Sequence, residues 1–282
     1  MQWFPGHMAK ALREFKEILP KVDIVFELRD ARIPLASSNP SVHKIIGTKP
    51  CLILLNKWDL ADEKIGNTWL KILQKPTSKV LPLNSKLGKG IGRIFSSSFS
   101  LLEETFAKRR KKGINLKNIR AIVIGIPNVG KSTLINKLAK KQVARVGNRP
   151  GITRGKQWVR AGNIELLDTP GVLWPKIDDK RTAMFLSLSG AIKDEVLPLL
   201  DIALYGINFL CENYPLFLKE KYSLESLSLD ARENLEKIGF RLKTFAKGGR
   251  IDLEKAAKIF LHDLRNGVLG RITFEKPTDV LV

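Results

Sequence analysis

The chain is short of cysteine, of long apolar runs and, over most of its length, of acidic residues. Its two cysteines, Cys51 and Cys211, lie far apart in apolar surroundings. That pattern argues against a disulfide or cysteine–metal framework and fits reduced core thiols in a cytosolic protein. The longest apolar runs, such as 51–55, fall far short of the ~20 residues needed to span a bilayer. Met1 to His7 contain no signal-peptide core, so no export leader is expected. Low-complexity tracts are missing too, and with 44% hydrophobic residues the chain can build real cores. At 282 residues there is room for one sizeable domain and a smaller one, taking roughly 100–200 residues per domain.

The scarcity of acidic residues is local. Residues 1–175 carry 32 Lys/Arg against 12 Asp/Glu, a net of +20, whereas residues 176–282 carry 17 against 16, a net of +1. Such an excess implies a polyanionic partner, either nucleic acid or an acidic membrane surface. Membrane binding usually needs a basic amphipathic helix with bulky apolar residues opposite the charges. The clusters here are scattered, and a folded RNA fits them better.

Apolar spacing predicts a helix over 8–19, closed by Pro20, then strands over 22–28, 50–55 and 80–83 with a helix over 65–73 between the last two. A strand over 119–125, a helix from Lys131 to about Lys140 and strands over 157–160 and 164–167 continue the alternation. It predicts an α/β domain with a mostly parallel sheet covered by helices. Residues 85–118 run from a Gly-rich stretch through a helix into Lys108-Arg109-Arg110-Lys111-Lys112, and read as a joint within that domain. Beyond Asp178 strand signals fade, and helices over 230–238 and 252–264 point to a small all-α domain. The expected division is 1–175 and 176–282.

Two motifs carry most of the chemistry. Gly125-x4-Gly130-Lys131-Ser132 follows an apolar strand and opens a helix, which is the setting of a phosphate-binding loop. Its glycines let backbone N–H groups face the phosphates. Lys131 would reach the β- and γ-phosphates, and Ser132 would ligate Mg²⁺. Val129, Gly130 and Thr133 complete the nucleotide-binding stretch. Asn128, inside the loop, can help to coordinate K⁺ beside the phosphates or can simply shape the loop. Asn56-Lys57-Trp58-Asp59 reads as a guanine-recognition sequence. A carboxylate such as Asp59 accepts both N–H groups of the guanine N1/N2 edge, a donor pair that adenine lacks. Lys57 would pack its stem along the base, and Ser85 fits a second base-contacting loop. In ordinary GTPases the phosphate loop precedes the base motif. Here it follows, so the sequence reads as a circularly permuted G domain.

Asp168-Thr169-Pro170-Gly171, 37 residues after Lys131, would hold Mg²⁺ through Asp168 and sense the γ-phosphate through Gly171. Thr153, between them, stands where a switch threonine should reach Mg²⁺. Val172 occupies the place where many small GTPases carry a water-orienting glutamine, and an apolar side chain cannot orient water.

These motifs, with Trp3 to Ala11, Asp30-Ala31-Arg32-Ile33-Pro34, Arg149 to Thr153, Gly190 to Asp194 and Phe274-Glu275-Lys276-Pro277, closely resemble those of the ribosome biogenesis GTPase A (YlqF) family over nearly the full length. The resemblance implies a Mg²⁺-dependent, K⁺-stimulated GTPase; a bacterial cytoplasmic setting is expected, with an organelle left open. It would bind rRNA and promote late assembly of the large (50S) ribosomal subunit. It also implies a part in hydrolysis for His7, in a Gly/Pro-flanked segment expected to be flexible, alongside Lys131 and Thr153; His7 also reads simply as a helix N-terminal residue. His43 and His262 have no motif around them and are expected to be structural.

The candidate RNA contacts are Lys108, Arg109, Arg110, Lys111, Lys112, Arg154 and Lys156 in the first part, and Arg241, Lys243, Lys247 and Arg250 in the second. The 108–112 run also reads simply as a solvated helix end. A monomer is expected, with GTP and GDP as ligands. A permuted GTPase acting on tRNA or the small subunit shares every nucleotide motif, and an RNA-binding scaffold with GTP as a structural ligand also stays open.

Overall fold

The structure, a computed structural model, describes residues 5–113, 118–140, 157–168, 177, 179–192, 194 and 196–280. The chain forms two compact units, Met1–Asp178 with Glu275–Val282, and Asp179–Phe274.

Among the described residues the first unit is built on six strands: β1 (Ile24–Asp30), β2 (Cys51–Asn56), β3 (Ser78–Pro82), β4 (Ile119–Gly125), β5 (Gln157–Ala161) and β6 (Ile164–Asp168). They lie in the order β3-β2-β1-β4-β6-β5, all neighbours parallel except the β5–β6 hairpin. β1 and β2 are buried along their whole length, as parallel strands covered on both faces must be. Helices α1 (Pro5–Ile18), α2 (Pro40–Ile46) and α3 (Glu63–Ile72) cover one face, where Phe15, Ile46 and Trp69 meet Val25, Ile53, Leu55 and Ile122. α4 (Gly92–Leu101) packs on β2 and β3, and α6 (Lys131–Ala139) on β4, β5 and β6. The joint supplies α4 and then α5 (Glu103–Lys111), whose last turn carries the basic run.

Three differences from the sequence reading have physical reasons. β1 runs on through Arg29 and Asp30, beyond the expected end at 28, because both charges are paired inside the fold. α2 was not anticipated, although Asn39 caps it by accepting from the N–H groups of Ser41 and Val42, and Pro40 follows at the first helical position; both are helix-start signals. α1 begins at Pro5, ahead of the expected start at 8, so His7 falls in its first turn. Proline is favoured at that position because its missing N–H is not needed there.

The chain's end differs from the expected division. Glu275 belongs to the first unit, where its carboxylate accepts from the N–H groups of Leu35 (2.5 Å) and Ala36 (2.7 Å) and its carbonyl accepts from Trp69 Nε1 (3.0 Å). Pro277–Val280 follows as a 3-10 turn against α3.

The second unit holds α7 (Lys180–Leu188), α8 (Leu199–Asn213), α9 (Pro215–Tyr222), α10 (Ala231–Arg241) and α11 (Leu253–Arg265). Asp179, Asp230 and Asp252 cap α7, α10 and α11. α8 packs against the other four, and Gly206 lets the side chains of Leu188 and Phe260 close on it. Phe185, Phe209 and Phe274 form an aromatic cluster.

Candidate functional site

Parallel strands end on one edge of a sheet, and ligands of open α/β sheets bind at that edge. β2 ends in Asn56, β1 in Asp30 and β4 in Gly125, with Asp30 opposite Asn56 and Leu28 opposite Gly125. One strand therefore separates the base motif from the phosphate loop. Asn56 closes that gap: its Nδ2 donates to the Val129 carbonyl (2.6 Å), and its Oδ1 accepts from the Ser85 N–H (2.9 Å). Base motif, phosphate loop and the 84–85 turn thus meet on one buried amide.

The loop requires its glycines. Gly130 has φ +105°, and a Cβ there would collide with Asn56 Nδ2 and crowd Ser85 Oγ. Gly125 has φ +153°, and a Cβ would come within 2.6 Å of the Leu28 carbonyl. Asn128 holds a left-handed conformation (φ +57°), which asparagine tolerates better than other non-glycine residues. Lys131, buried at the start of α6, donates to the carbonyls of Gly125 (3.2 Å) and Ile126 (3.1 Å). Its ammonium therefore already lies against the loop it would serve. Ser132 and Thr133 follow on the same first turn, half-buried.

On the base side Lys57 is left-handed (φ +58°), and Trp58–Leu60 form a 3-10 turn that leaves Asp59 exposed. The Trp58 ring lies on Gly66 of α3, where a Cβ would come within 2.7 Å of the indole. Lys57 Nζ pairs with Asp30 Oδ2 at 2.9 Å. Arg32 holds the same carboxylate through Nε (3.0 Å) and Nη2 (2.8 Å). Burial would push the Asp30 carboxyl up, but Arg32 and then Lys57 outweigh it and hold it well below the usual carboxylate range. Asp30 and Arg32 entered the sequence reading only as part of a resembling segment. Their part in steadying Lys57 depends on a meeting of β1 with β2 that spacing does not show.

A second buried charge cluster lies on β1. Glu27 pairs with Arg29 (2.9 Å) and His43 of α2 (3.0 Å). Burial would raise the Glu27 carboxyl, but Arg29 and His43 bring it down to about 2. Cys51 nearby is a free thiol whose pKa burial pushes up, which makes it an inert core residue.

The structure therefore brings together Asn56, Lys57, Ser85, Asn128, Val129, Gly130, Lys131, Ser132 and Thr133, with Asp59 on the adjoining turn. Asp168 ends β6 opposite Val123 of β4, two residues before Gly125. Its side chain, that of His7, and Thr153, Arg154, Lys156 and Gly171 lie outside the described residues. Among the cations expected to meet RNA, Arg109 is tied to Asp23 (2.8 Å), whereas Lys108, Arg110, Lys111 and Lys112 are exposed. Arg241, Lys243, Lys247 and Arg250 are exposed on the second unit.

The chain resembles known proteins. The family described as 50S ribosome-binding GTPase matches residues 120–232. A ribosome biogenesis GTPase A from Bacillus pumilus is 48% identical over 98% of this chain and 99% of its own. A GDP-bound YlqF structure superposes with a TM-score of 0.66 at 29% identity, covering 95% of this chain and all of the other. A GNP-bound YlqF from T. maritima gives 0.64 at the same identity, covering 95% and 98%. A permuted G domain with its base and phosphate motifs joined through Asn56, followed by a helical unit and matched at 48% identity over 98% of its length by the Bacillus pumilus relative, makes the chain a member of the ribosome biogenesis GTPase A family.

Proposed function

We propose that this GTPase binds rRNA and promotes late maturation of the large ribosomal subunit. The observation that carries the nucleotide reading is the junction at Asn56, which couples a guanine motif to a phosphate loop. The net of +20 over residues 1–175 supports an RNA partner, and the description of the matching family as 50S ribosome-binding supports the large subunit.

Guanine is read by Asp59, whose carboxylate accepts from the N1/N2 edge. Lys57, steadied by Asp30, lays its stem along the base. Ser85 flanks the base from the β3 side. Phosphate oxygens take the place of the Gly125 and Ile126 carbonyls on the Lys131 ammonium, while the N–H groups of Asn128 to Thr133 line the phosphates. The oxygen donors Ser132 and Asp168, on adjacent strand and loop ends, suit a hard divalent cation. Mg²⁺ held by Ser132, Asp168 and Thr153, with K⁺ at Asn128, would add positive charge beside the β- and γ-phosphates. Gly171 and Thr153 sense the γ-phosphate, and His7 assists hydrolysis where Val172 cannot. The exposed cations of α5, with Arg154 and Lys156, and those of the helical unit contact rRNA. The working unit is a cytoplasmic monomer.

Co-sedimentation with purified large subunits, small subunits and tRNA, in GDP and in a non-hydrolysable GTP analogue, tests the partner. Association with large subunits that strengthens in the analogue is expected. Preference for small subunits or tRNA would overturn the large-subunit assignment and leave the nucleotide site intact.

A further inference from the structure

We propose that Phe240, Phe245 and the basic hairpin beside them form a stacking site for an unpaired nucleotide of RNA; this rests on the reading of the helical unit as an RNA contact. α10 ends at Arg241 and is closed by the Thr244 N–H, which donates to the Gly239 carbonyl (2.9 Å), with Lys243 left-handed between them (φ +55°). The chain then doubles back: Phe245 pairs with Ile251, the Asp252 N–H donates to the Thr244 carbonyl (2.7 Å), and the Ala246 N–H donates to the Arg250 carbonyl (2.8 Å). Gly248 and Gly249 turn the tip with φ +89° and +78° and open space around them. Thr244 is buried and Ile251 lies against Gly239, so the hairpin is fixed to its helix.

This rigid base presents two aromatic rings to solvent. Phe240 is 62% exposed and Phe245 45% exposed, with ring centroids 6.1 Å apart and planes at 89°. The core beneath is already made by Leu235, Ile238, Ala256 and Phe260, so neither ring is needed to fill it. An edge-to-face pair leaves a ring face open, and every base has a π-face to lay on it.

Charge argues for what covers the rings. From Lys237 to Ile251 the chain carries five cations and no carboxylate, whereas the rest of residues 176–282 carries 12 Lys/Arg against 16 Asp/Glu. Beside Phe240 a cavity of about 500 Å³ is bounded by Leu224, Arg241 and Ile251, with Glu225 and Glu236 on its wall. Those carboxylates repel phosphate and accept from exocyclic amino groups. The backbone is therefore steered onto the cation ridge while a base enters the cavity. A duplex offers no free base, so the ligand is a single strand, a loop or a bulge.

The test uses the full chain and a mixed-sequence single-stranded RNA of about 12 nucleotides, within the usual site sizes, carrying one 2-aminopurine, and compares it with the matching duplex. Binding is expected to quench the 2-aminopurine. Phe240→Ala and Phe245→Ala should each weaken the single strand by about five-fold or more, abolish the quench, and leave both the salt dependence and duplex binding unchanged. Phe240→Trp should restore the quench. Lys247→Ala and Arg250→Ala should instead flatten the salt dependence. Alanine variants that bind and quench like the wild type would overturn the stacking site while the RNA reading stands. Failure of the wild type to bind either RNA at low salt would overturn both.

Discussion

Gly130 bears on the junction of the two halves of the nucleotide site, and Asp30 on the charge cluster beneath the base motif. At Gly130 the backbone is left-handed and the space for a Cβ is taken by Asn56 Nδ2. Gly130→Ala must therefore strain the loop or push Asn56 off the Val129 carbonyl. Backbone strain of this kind costs about 1–3 kcal/mol, and about 1.4 kcal/mol is a factor of ten in binding. A fluorescent-GDP titration should show affinity down by about ten-fold or more on that scale; unchanged affinity would mean that the Asn56 junction does not govern the loop. Asp30→Asn has a different signature. It removes the carboxylate charge that pairs with Arg32, itself buried, and with Lys57. Breaking one partner of a buried pair costs about 3–5 kcal/mol, so urea unfolding should show a stability loss of that order. A loss within the error of the fit would show that Asp30 is not the support of this charge cluster.

At the scale of elements, β1 carries two charge clusters that a buried strand ordinarily excludes, and their consequences are thermodynamic. Glu27 titrates at about 2 in the fold, against 4.5 for the free side chain. As pH falls from 5 towards 2 the unfolded chain takes up the proton first, so the stability contributed by this ionised group is present above its unfolded pKa and drains away below it. The unfolding temperature should therefore drop between pH 5 and pH 3. Glu27→Gln should be less stable at pH 7, where Arg29 loses its partner, yet lose less over the acid range. A wild type and variant with parallel acid profiles would contradict this. Glu275 ties the chain's end to the first unit through two N–H groups. Unsatisfied buried donors cost about 1–3 kcal/mol each, so Glu275→Ala should lower urea stability by about 2 kcal/mol or more.

The same elements show what was legible beforehand. The strand over 119–125 and the helix after it were readable because hydrophobic runs, glycines and a helix start coincide there. β1 was cut short at 28 because Arg29 and Asp30 look like a strand end until their partners are known. The attachment of Glu275, 239 residues from Ala36, has no local signature. The grouping of Asn56 with Val129 followed only indirectly from the permuted motif order, and Asp30 with Lys57 not at all.

At the scale of the whole molecule, permutation moves the chain ends without moving the strands. β1 stands between β2 and β4, so the base and phosphate motifs are neighbours whichever comes first in the sequence. No helix among the described residues is long and apolar enough to cross a membrane, and the positive charge is concentrated on the nucleotide-binding part. Binding dominated by such charge should weaken steeply with salt. Raising KCl should therefore loosen the proposed complex with large subunits, and a salt-independent affinity would point to a protein-only contact. The most direct test of the central claim is steady-state GTP hydrolysis by the full chain, with and without purified large subunits, in K⁺ and in Na⁺. The account predicts slow turnover alone and strong stimulation by large subunits in K⁺ but not in Na⁺. Turnover that large subunits leave unchanged in either salt would contradict it.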